Sequence, residues 1–409
     1  MTARLFENWL LAAGVLPLLL CACTADPLYC DEDTRCTDPD RPFCDLNGDY
    51  PASEGVGRTC IPDPHADAGA GDADAETGGG ARDAGGDGDA DTSCVTRLVF
   101  VSLRDTNAQI YLSDADGQNQ TNLSQSTSTD RAPRWSPDGA RIAFVRDSGV
   151  WTMNADGSDP LQLTDGPNDD DPQWSPDGDR VAFVRNDGGT INLWVVDASG
   201  GAPAQLTTAG ALRYSWSPDG SKLAFGTERD GNREIYTMRS DGSDEANRTY
   251  DPSDDDVPTW SRDGARILFR SFRSGNEDLW VMAAIGSSPQ NLTSTPEAER
   301  DAVFTPDGSR VVYQRQTIST FQLLLGTFES DLYSMSSDGS DQQQLTFEEG
   351  EDGDPAVSPD GTRIAWTQNA AGIGTDVHVA SIDGTGDQNL TTSGVDSDPA
   401  WQPCQQAGP

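Results

Sequence analysis

Short runs of alternating apolar and polar residues recur throughout residues 94–404 of the chain. The clearest run is an aromatic residue, then Ser-Pro-Asp-Gly, one variable residue, a base and a short apolar segment, as in residues 135–144. Alternation with a period of two indicates strands rather than helices, and Pro-Asp-Gly indicates a tight turn between two strands. A second aromatic residue, a turn glycine and a Leu-Thr pair follow in most copies. Each repeat therefore predicts four short strands, which we name a to d.

The repeats are anchored by one residue on each strand a. These anchors lie 39 to 53 residues apart, at Trp135, Trp174, Trp216, Trp260, Phe304, Val357 and Trp401. Four-stranded repeats of this length are typical of propeller blades. The b–c–d portion occurs seven times, the first time without a strand a, and the segment around Trp401 supplies a strand a without the rest. We therefore predict an all-β, seven-bladed β-propeller, with six or eight blades as alternatives, closed by a C-terminal strand that completes the first blade.

Two cysteines fall at the place where the predicted ring is cut. Cys94 precedes Phe100 by the same six residues that separate Asp138 from Phe144, and Cys404 follows Trp401 as Asp138 follows Trp135. Both therefore occupy the a–b turn of one blade, within the Cα separation that a disulfide requires. We predict a Cys94–Cys404 disulfide, and two unrelated thiols are the alternative.

The N-terminus has the pattern of an export signal in residues 1–22, with an apolar stretch too short to anchor in a bilayer. It ends in Leu20-Cys21-Ala22-Cys23, which resembles the lipobox of bacterial lipoproteins. The resemblance implies that Cys23 is acylated and that the protein is exported and lipid-anchored to the outer membrane, on its periplasmic or surface side. A plain secretory signal cut near Ala22, which would give a secreted protein, is the alternative.

Two further segments precede the repeats, and a short tail, residues 405–409, follows them. Residues 23–62 hold four more cysteines and few apolar residues, so disulfides would have to hold this segment together. The pairing among Cys30, Cys36, Cys44 and Cys60 stays open. Residues 63–93 are Asp, Ala and Gly almost throughout, a composition that predicts a disordered, self-repelling linker.

The repeated Trp-Ser-Pro-Asp-Gly resembles the propeller repeats of the TolB family, periplasmic β-propellers of the bacterial cell envelope. The resemblance covers about three quarters of the chain and implies the fold much more than the function, since similar repeats serve many proteins. TolB itself has six blades, so the number seven comes from the repeats of this sequence. A cysteine-rich segment and a linker stand where TolB has an N-terminal α/β domain.

The net charge is −41, from 68 acidic and 27 basic residues, and it disfavours negatively charged partners. Nucleic acids and anionic lipid headgroups need clustered Lys and Arg, so both are disfavoured. A basic partner surface or a divalent cation would suit the field. The alternative is that the acidic residues serve only solubility.

Acidic residues concentrate in the d–a connections, which share one face of a propeller. We expect Asp171, Asp256, Asp301, Asp354 and Asp398 to surround the mouth of a central channel, because these connections lead into the innermost strands. Clustered carboxylates repel one another unless a cation joins them. The hypothesis is that this face binds calcium or a basic partner, and a solvated acidic rim is the alternative. We expect no other cofactor.

The sixth repeat carries an insertion with several apolar residues. We expect Phe321, Leu324 and Phe328 in this insertion to contact a partner, or alternatively to fold back as a lid on their own blade.

The sequence favours a monomeric, non-catalytic module that binds or scaffolds a protein or glycan at the cell envelope. It contains no nucleophile elbow and no plausible Ser–His–Asp set. A secreted carbohydrate-active enzyme, a lyase or glycosidase that uses the acidic face and His378, is one alternative. A purely structural envelope protein is another. His378 replaces the aromatic residue of strand c, so we expect it to pack in the core.

Overall fold

The computed structural model describes residues 43–44, 60–61, 97–317, 329–370 and 374–404. The chain divides into two compact regions, Met1–Gly88 and Asp89–Pro409. The N-terminal region contains two described strands, β1 (Phe43–Cys44) and β2 (Cys60–Ile61). They pair antiparallel, with Cys44 opposite Cys60.

The C-terminal region, as far as it is described, consists of β-strands joined by turns and loops, in seven sheet units. Unit 1 contains β3 (Arg97–Ser102), β4 (Gln109–Asp114) and β5 (Thr121–Asn122). Unit 2 contains β6 (Asp130–Trp135), β7 (Arg141–Arg146), β8 (Gly149–Asn154) and β9 (Leu161–Gln162). Unit 3 contains β10 (Asp169–Trp174), β11 (Arg180–Asp187), β12 (Thr190–Asp197) and β13 (Ala204–Gln205). Unit 4 contains β14 (Tyr214–Trp216), β15 (Lys222–Thr227), β16 (Glu234–Arg239) and β17 (Ala246–Asn247).

The remaining strands follow the same order. Unit 5 contains β18 (Asp255–Trp260), β19 (Arg266–Ser271), β20 (Asp278–Ala283) and β21 (Gln290–Asn291). Unit 6 contains β22 (Ala298–Phe304), β23 (Arg310–Thr317), β24 (Glu329–Ser336) and β25 (Gln343–Gln344). Unit 7 contains β26 (Glu351–Val357), β27 (Arg363–Ala370), β28 (Gly374–Ser381) and β29 (Gln388–Asn389). The last strand is β30 (Asp396–Trp401).

Each unit is an antiparallel sheet in the order a–b–c–d. Strand β30 does not begin a new sheet but pairs antiparallel with β3 of unit 1, with Trp401 opposite Leu98. The final strand therefore serves as strand a of the first unit. Units 6 and 7 are also joined by a single parallel bridge between Ser330 and Glu351.

The a–b turn shows why Ser-Pro-Asp-Gly recurs. Ser136 Oγ donates a hydrogen bond to Asp138 Oδ1 at 2.5 Å, and the same oxygen accepts the backbone N–H of Ala140 at 3.0 Å. Gly139 follows with a φ of +66°, and a Cβ there would lie 2.8 Å from the carbonyl oxygen of Pro403. Glycine is therefore required both by the backbone conformation and by the close approach of the neighbouring unit.

In four units the anchor tryptophan ties its unit to the one before it. The indole Nε1 of Trp174 donates to the carbonyl oxygen of Arg134 at 3.0 Å, and that of Trp401 donates to the carbonyl oxygen of Ala356 at 3.1 Å. The guanidinium of Arg141, the base of the repeat, lies 5.5 Å from the Trp174 ring centre. A cation over an indole face is a favourable contact, so the repeat motif encodes the junction between units as well as the turn.

The core is divided into clusters that span neighbouring units. Val377 of unit 7 packs in one cluster with Leu98 and Trp401 of unit 1. Another cluster combines Val99 of unit 1 with Ile142 of unit 2. The apolar side chains of each sheet are buried against the sheets of the neighbouring units. Burial of these side chains between units is therefore the main stabilising contribution.

The prediction of an all-β fold is confirmed. Among the described residues, no helix has the length and apolar character that crossing a membrane requires. Several predicted sites lie outside the described residues, namely Cys23, Cys30, Cys36, Cys94, Phe321, Leu324 and Phe328. Cys404 is disulfide-bonded, but because Cys94 is not described, its pairing with Cys94 stays a prediction.

Candidate functional site: an acidic channel

Strands a of all seven units line one channel with a volume of about 1770 Å³. The equivalent position on each strand is the third residue before the anchor. In unit order from 1 to 7 these residues are Asp398, Ala132, Asp171, Arg213, Val257, Asp301 and Asp354. All except Ala132 contribute to the channel wall.

The backbone at this position is unusual. Asp171, Asp301, Asp354 and Asp398 have φ values of +47° to +62°, and the register of strand a shifts at each of these places. Such an irregularity is a β-bulge, which bends a strand and redirects a side chain. Asp tolerates a left-handed conformation better than most residues, since its short carboxylate can interact with nearby backbone. The local conformation therefore favours Asp at the same place where the side chain meets the channel.

Four of the five predicted acidic residues are brought together on the channel wall, and Asp256 is not. Asp256 lies one residue before the equivalent position, which Val257 occupies. Its carboxylate is buried and accepts two hydrogen bonds from Arg270, at 2.7 and 2.8 Å, and a third from Arg233 at 3.2 Å. The charge of Asp256 is therefore compensated by arginines of two units, and its carboxylate is not available in the channel.

Two of the arginines that line the channel lie within 4 Å of these carboxylates, and neither was predicted from the sequence. Arg134 Nη1 lies 3.6 Å from Asp398 Oδ1, and Arg213 Nη1 lies 3.9 Å from Asp171 Oδ2. Arg213 occupies the same position in its repeat as the acidic residues do in theirs, which is a signal that alignment of the repeats could have shown. Asp301 and Asp354 have no comparably close basic partner among the described residues.

The channel walls and the neighbouring charges change the pKa values of the carboxyl groups in the channel. Although the Asp354 residue is solvent-exposed, desolvation by the surrounding protein raises its pKa to about 6, and the charges of Asp398 and Asp301 add to that effect. Arg134 and Arg213 oppose it. Burial also raises the pKa of Asp171, again against the two arginines. The negative charge of the channel is therefore incompletely compensated, and an added cation would be stabilised there.

The opposite end of the channel is formed by the a–b turns. It carries the second residue after each anchor, in order Pro403, Pro137, Pro176, Pro218, Arg262, Pro306 and Pro359. The channel thus has an acidic end and an end made largely of proline. The a–b turns of neighbouring units lie close together, since a Cβ at Gly178 would be 3.8 Å from Cδ of Pro137 in the unit before it.

His378 does not line the channel. Its side chain is 7% exposed, and its ring lies opposite and 5.4 Å from that of Trp366. Its Nδ1 is 3.0 Å from Asp387 Oδ1. In the described stretches of the chain, no set of three or more His, Cys, Asp and Glu side chains is arranged to hold a metal ion.

Comparison with known proteins identifies the family. The sequence profile of the TolB beta propeller domain matches residues 92–215 and 213–331. The chain belongs to the TolB β-propeller family. No curated protein matches this family member in sequence.

Solved structures that resemble this TolB-type chain have diverse functions. TolB from Acinetobacter baumannii is 19% identical, with 72% of this chain and 79% of that chain covered and a TM-score of 0.49. Oligogalacturonate lyase from Vibrio parahaemolyticus is 15% identical, with 72% and 84% covered and a TM-score of 0.55. A puromycin-hydrolyzing peptidase from Mycobacterium tuberculosis is 16% identical, with 73% and 54% covered and a TM-score of 0.57. At these identities the similarity shows the fold alone.

Proposed function

We propose that this chain is a non-catalytic binding module, a closed seven-bladed propeller whose acidic channel accepts a basic segment of a protein partner at the cell envelope. The observation that carries the proposal is the convergence of Asp171, Asp301, Asp354 and Asp398 on one channel that holds two arginines close to them. Among the described residues no histidine accompanies these carboxylates, because His378 is packed in the core.

Closure into a seven-bladed ring is supported by three features of the described residues. Strand β30 pairs with β3, a hydrophobic cluster spans units 7 and 1, and residues of all seven units line the channel. A Cys94–Cys404 disulfide would seal the same place covalently.

The chemistry of the partner follows from the charge of the site. A Lys or Arg side chain that enters the channel would approach carboxylates whose mutual repulsion adds to burial in raising the pKa of Asp354. The protein around the channel lowers the effective dielectric constant, which strengthens such an interaction relative to bulk water. A neutral glycan would gain nothing from this charge, so we favour a protein segment over a glycan.

Titration calorimetry with short Arg/Lys-containing peptides, and with acidic peptides of the same length, tests the proposal. We expect binding of the basic peptides only, weakened by added salt. The double variant Asp354→Asn/Asp398→Asn should weaken binding by at least about tenfold, as expected when close charge pairs are lost. Glu348→Gln/Glu349→Gln removes the same charge from exposed residues that do not belong to the channel wall and is the matched control. Equal effects of the two double variants, or no binding at all, would remove the basis of the proposal.

Calcium is the alternative occupant of the acidic end. Calorimetry with calcium chloride separates the two cases, because a divalent ion that fills the channel would compete with the basic peptide. We expect no such competition, since Arg134 and Arg213 lie against two of the carboxylates. Release of reducing ends or unsaturated products from a polysaccharide panel would instead favour the enzyme alternative.

Display at the cell envelope is the second element of the proposal. Acylation of Cys23 would anchor the chain, residues 24–62 would form a disulfide-linked segment, and residues 63–93 would act as a tether for the propeller. Metabolic labelling with a radioactive fatty acid should mark the wild-type protein and not the Cys23→Ala variant. Labelling of both proteins, or of neither, would contradict the anchor.

A further inference from the structure

A second set of acidic residues, five positions before the anchor, does not line the channel. In five units this residue is buried and bound by an arginine that lies on strand b of its own unit or just after it. The pairs are Asp130 with Arg146 at 2.7 Å, Asp169 with Arg185 at 2.6 Å, Asp255 with Arg273 at 2.6 Å, Glu299 with Arg315 at 2.9 Å, and Asp396 with Arg104 at 2.9 Å.

Each of these arginines also lies over the two aromatic residues of strands b and c. The guanidinium of Arg146, for example, is 5.1 Å from the ring centres of both Phe144 and Trp151. A buried carboxylate is expensive without a partner, and the arginine supplies both the charge and the hydrogen bonds that offset its desolvation. The arrangement is a repeated structural device.

Unit 7 keeps the acid and lacks the arginine. Asp352 is 1% exposed and lies opposite Gln368 in the strand register. In units 2, 3 and 6 the residue at that place is an arginine, such as Arg146 opposite Asp130. The indole Nε1 of Trp366 donates to Asp352 Oδ1 at 3.2 Å instead. In unit 7 the neutral indole N–H therefore replaces the positively charged guanidinium of the other units.

Other charged groups near Asp352 do not replace the arginine. Asp331 on β24 of unit 6 adds a negative charge, with Glu329 next to it. His378 on β28 has its Nδ1 directed at Asp387. Burial is the main cause that raises the pKa of Asp352 to about 6, helped by Asp331 and opposed by the hydrogen bonds of Thr346 and Trp366 and by His378. Burial likewise raises the pKa of Asp331 to about 6.

Asp352 also lies at the junction between two units. Its carbonyl oxygen accepts hydrogen bonds from Gln314 Nε2 at 2.8 Å and from Ser330 Oγ at 3.1 Å, and both donors belong to unit 6. The same strand, β26, carries Asp354 into the channel. A change in the charge of Asp352 is therefore placed to act on the unit 6–unit 7 junction.

We propose that unit 7 is a proton-sensitive element of the propeller, in which Asp352 without an arginine takes up a proton in weakly acidic solution and the junction with unit 6 tightens. The direction follows from linkage. A carboxyl group whose pKa is raised on folding contributes stability at low pH, and that contribution is lost as the pH rises through the folded-state pKa. The junction should therefore be more stable near pH 5 than near pH 7.5.

The Trp366 indole N–H reports directly on Asp352, because the two groups share a hydrogen bond. We would follow the indole resonances of the ¹⁵N-labelled full chain by NMR from pH 4.5 to 8, with Trp366→Phe to assign the signal. The Trp366 resonance should titrate with a midpoint near pH 6, and Asp352→Asn should abolish that titration. A Trp366 signal that does not move, or that titrates unchanged in Asp352→Asn because His378 or Asp331 is the source, would overturn the proposal.

Thermal unfolding at pH 5 and pH 7.5 gives the second readout. The Tm of the wild type should drop from pH 5 to pH 7.5. In Asp352→Asn this drop should be smaller by about 2 °C, the scale expected for roughly 1 kcal/mol in a domain of this size. Glu349→Gln, an exposed change of the same charge, should leave the drop unaltered. Gln368→Arg restores the pairing seen in units 2, 3 and 6 and should also flatten the pH dependence. If that variant does not fold, Asp352→Asn decides alone, and a wild-type drop in Asp352→Asn would contradict the proposal.

Discussion

Trp135 donates its indole N–H to the carbonyl oxygen of Ala400 at 3.1 Å, across 265 residues of sequence. Trp135 is the anchor of unit 2, and Ala400 lies on the last strand, β30. The bond therefore joins the C-terminal strand to the second unit, while β30 pairs with the first. Strand β30 is thus hydrogen-bonded both to unit 1 and to unit 2.

We expect Trp135→Phe to destabilise the protein more than Trp260→Phe does. Both changes exchange one buried ring for another, but the indole N–H of Trp260 has no hydrogen-bond partner among the described residues, whereas that of Trp135 does. The difference in the free energy of unfolding should be about 1 kcal/mol, the net contribution of one hydrogen bond. Denaturant unfolding of the two variants measures it. Equal destabilisation would mean that the bond to Ala400 contributes nothing.

Gly139→Ala should cost more than Gly188→Ala, although both glycines have a φ near +65°. A Cβ at position 139 would lie 2.8 Å from the carbonyl oxygen of Pro403, while a Cβ at position 188 would have no atom of another described part of the chain within 4 Å. The backbone cost of about 1 kcal/mol is common to both changes, and the clash adds to it only at position 139. Thermal unfolding of both variants is the measurement, and a similar loss of Tm would indicate that the neighbouring unit gives way without cost.

The buried pair of Asp169 and Arg185 should be far more important than the exposed pair of Arg239 and Asp244. Arg185→Met leaves the buried carboxylate of Asp169 without its cation and should destabilise the fold by about 3–5 kcal/mol. Arg239→Met breaks an exposed pair and should cost about 0–1 kcal/mol. Urea titrations compare the two, and a small effect of Arg185→Met would show that the repeated acid–arginine device is dispensable.

Binding of a basic peptide in the channel should weaken in acidic solution. The pKa of Asp354 is raised to about 6, so its carboxylate is charged above that pH and becomes neutral below it. The affinity should therefore fall as the pH drops from 7.5 to 5, and Asp354→Asn should reduce that fall. Calorimetry at several pH values tests the sign. An affinity that rises toward pH 5 would contradict the role of Asp354.

Reduction of the protein should lower its thermal stability if Cys94 and Cys404 are bonded to each other. In the chain-entropy model, a loop of this length contributes on the order of 5 kcal/mol, although native-state strain often reduces the gain. Peptide mapping without reductant should recover the two cysteines in one linked peptide. Recovery of Cys404 linked to another cysteine would disprove the pairing.

The fold could be predicted from the sequence because its information is local and repeated. The Trp135 motif specifies a strand, a turn and a contact with the next unit within ten residues, and it occurs often enough to reveal the period. The site could be predicted only incompletely. Asp256 and Val257 differ by one residue, and the bulge in strand a decides which of them meets the channel. Arg134 joins the site through the geometry of the assembled units, which residue spacing does not show.

The missing arginine partner of Asp352 could not be predicted from residue spacing either. Its missing partner becomes visible only when Gln368 is placed opposite it in the register and compared with Arg146 opposite Asp130. Strand pairing supplies that comparison, and the sequence pattern of a single repeat does not.

A photo-crosslinking residue placed in the channel tests most directly whether a basic peptide binds there. Val257, on the channel wall, would be replaced by p-benzoylphenylalanine, and Ile285, which is 73% exposed and does not belong to the channel wall, would serve as the control site. A labelled basic peptide should crosslink at position 257 and not at position 285, and excess unlabelled peptide should suppress the product. Equal crosslinking at both positions, or none at position 257, would contradict a channel that receives a basic partner.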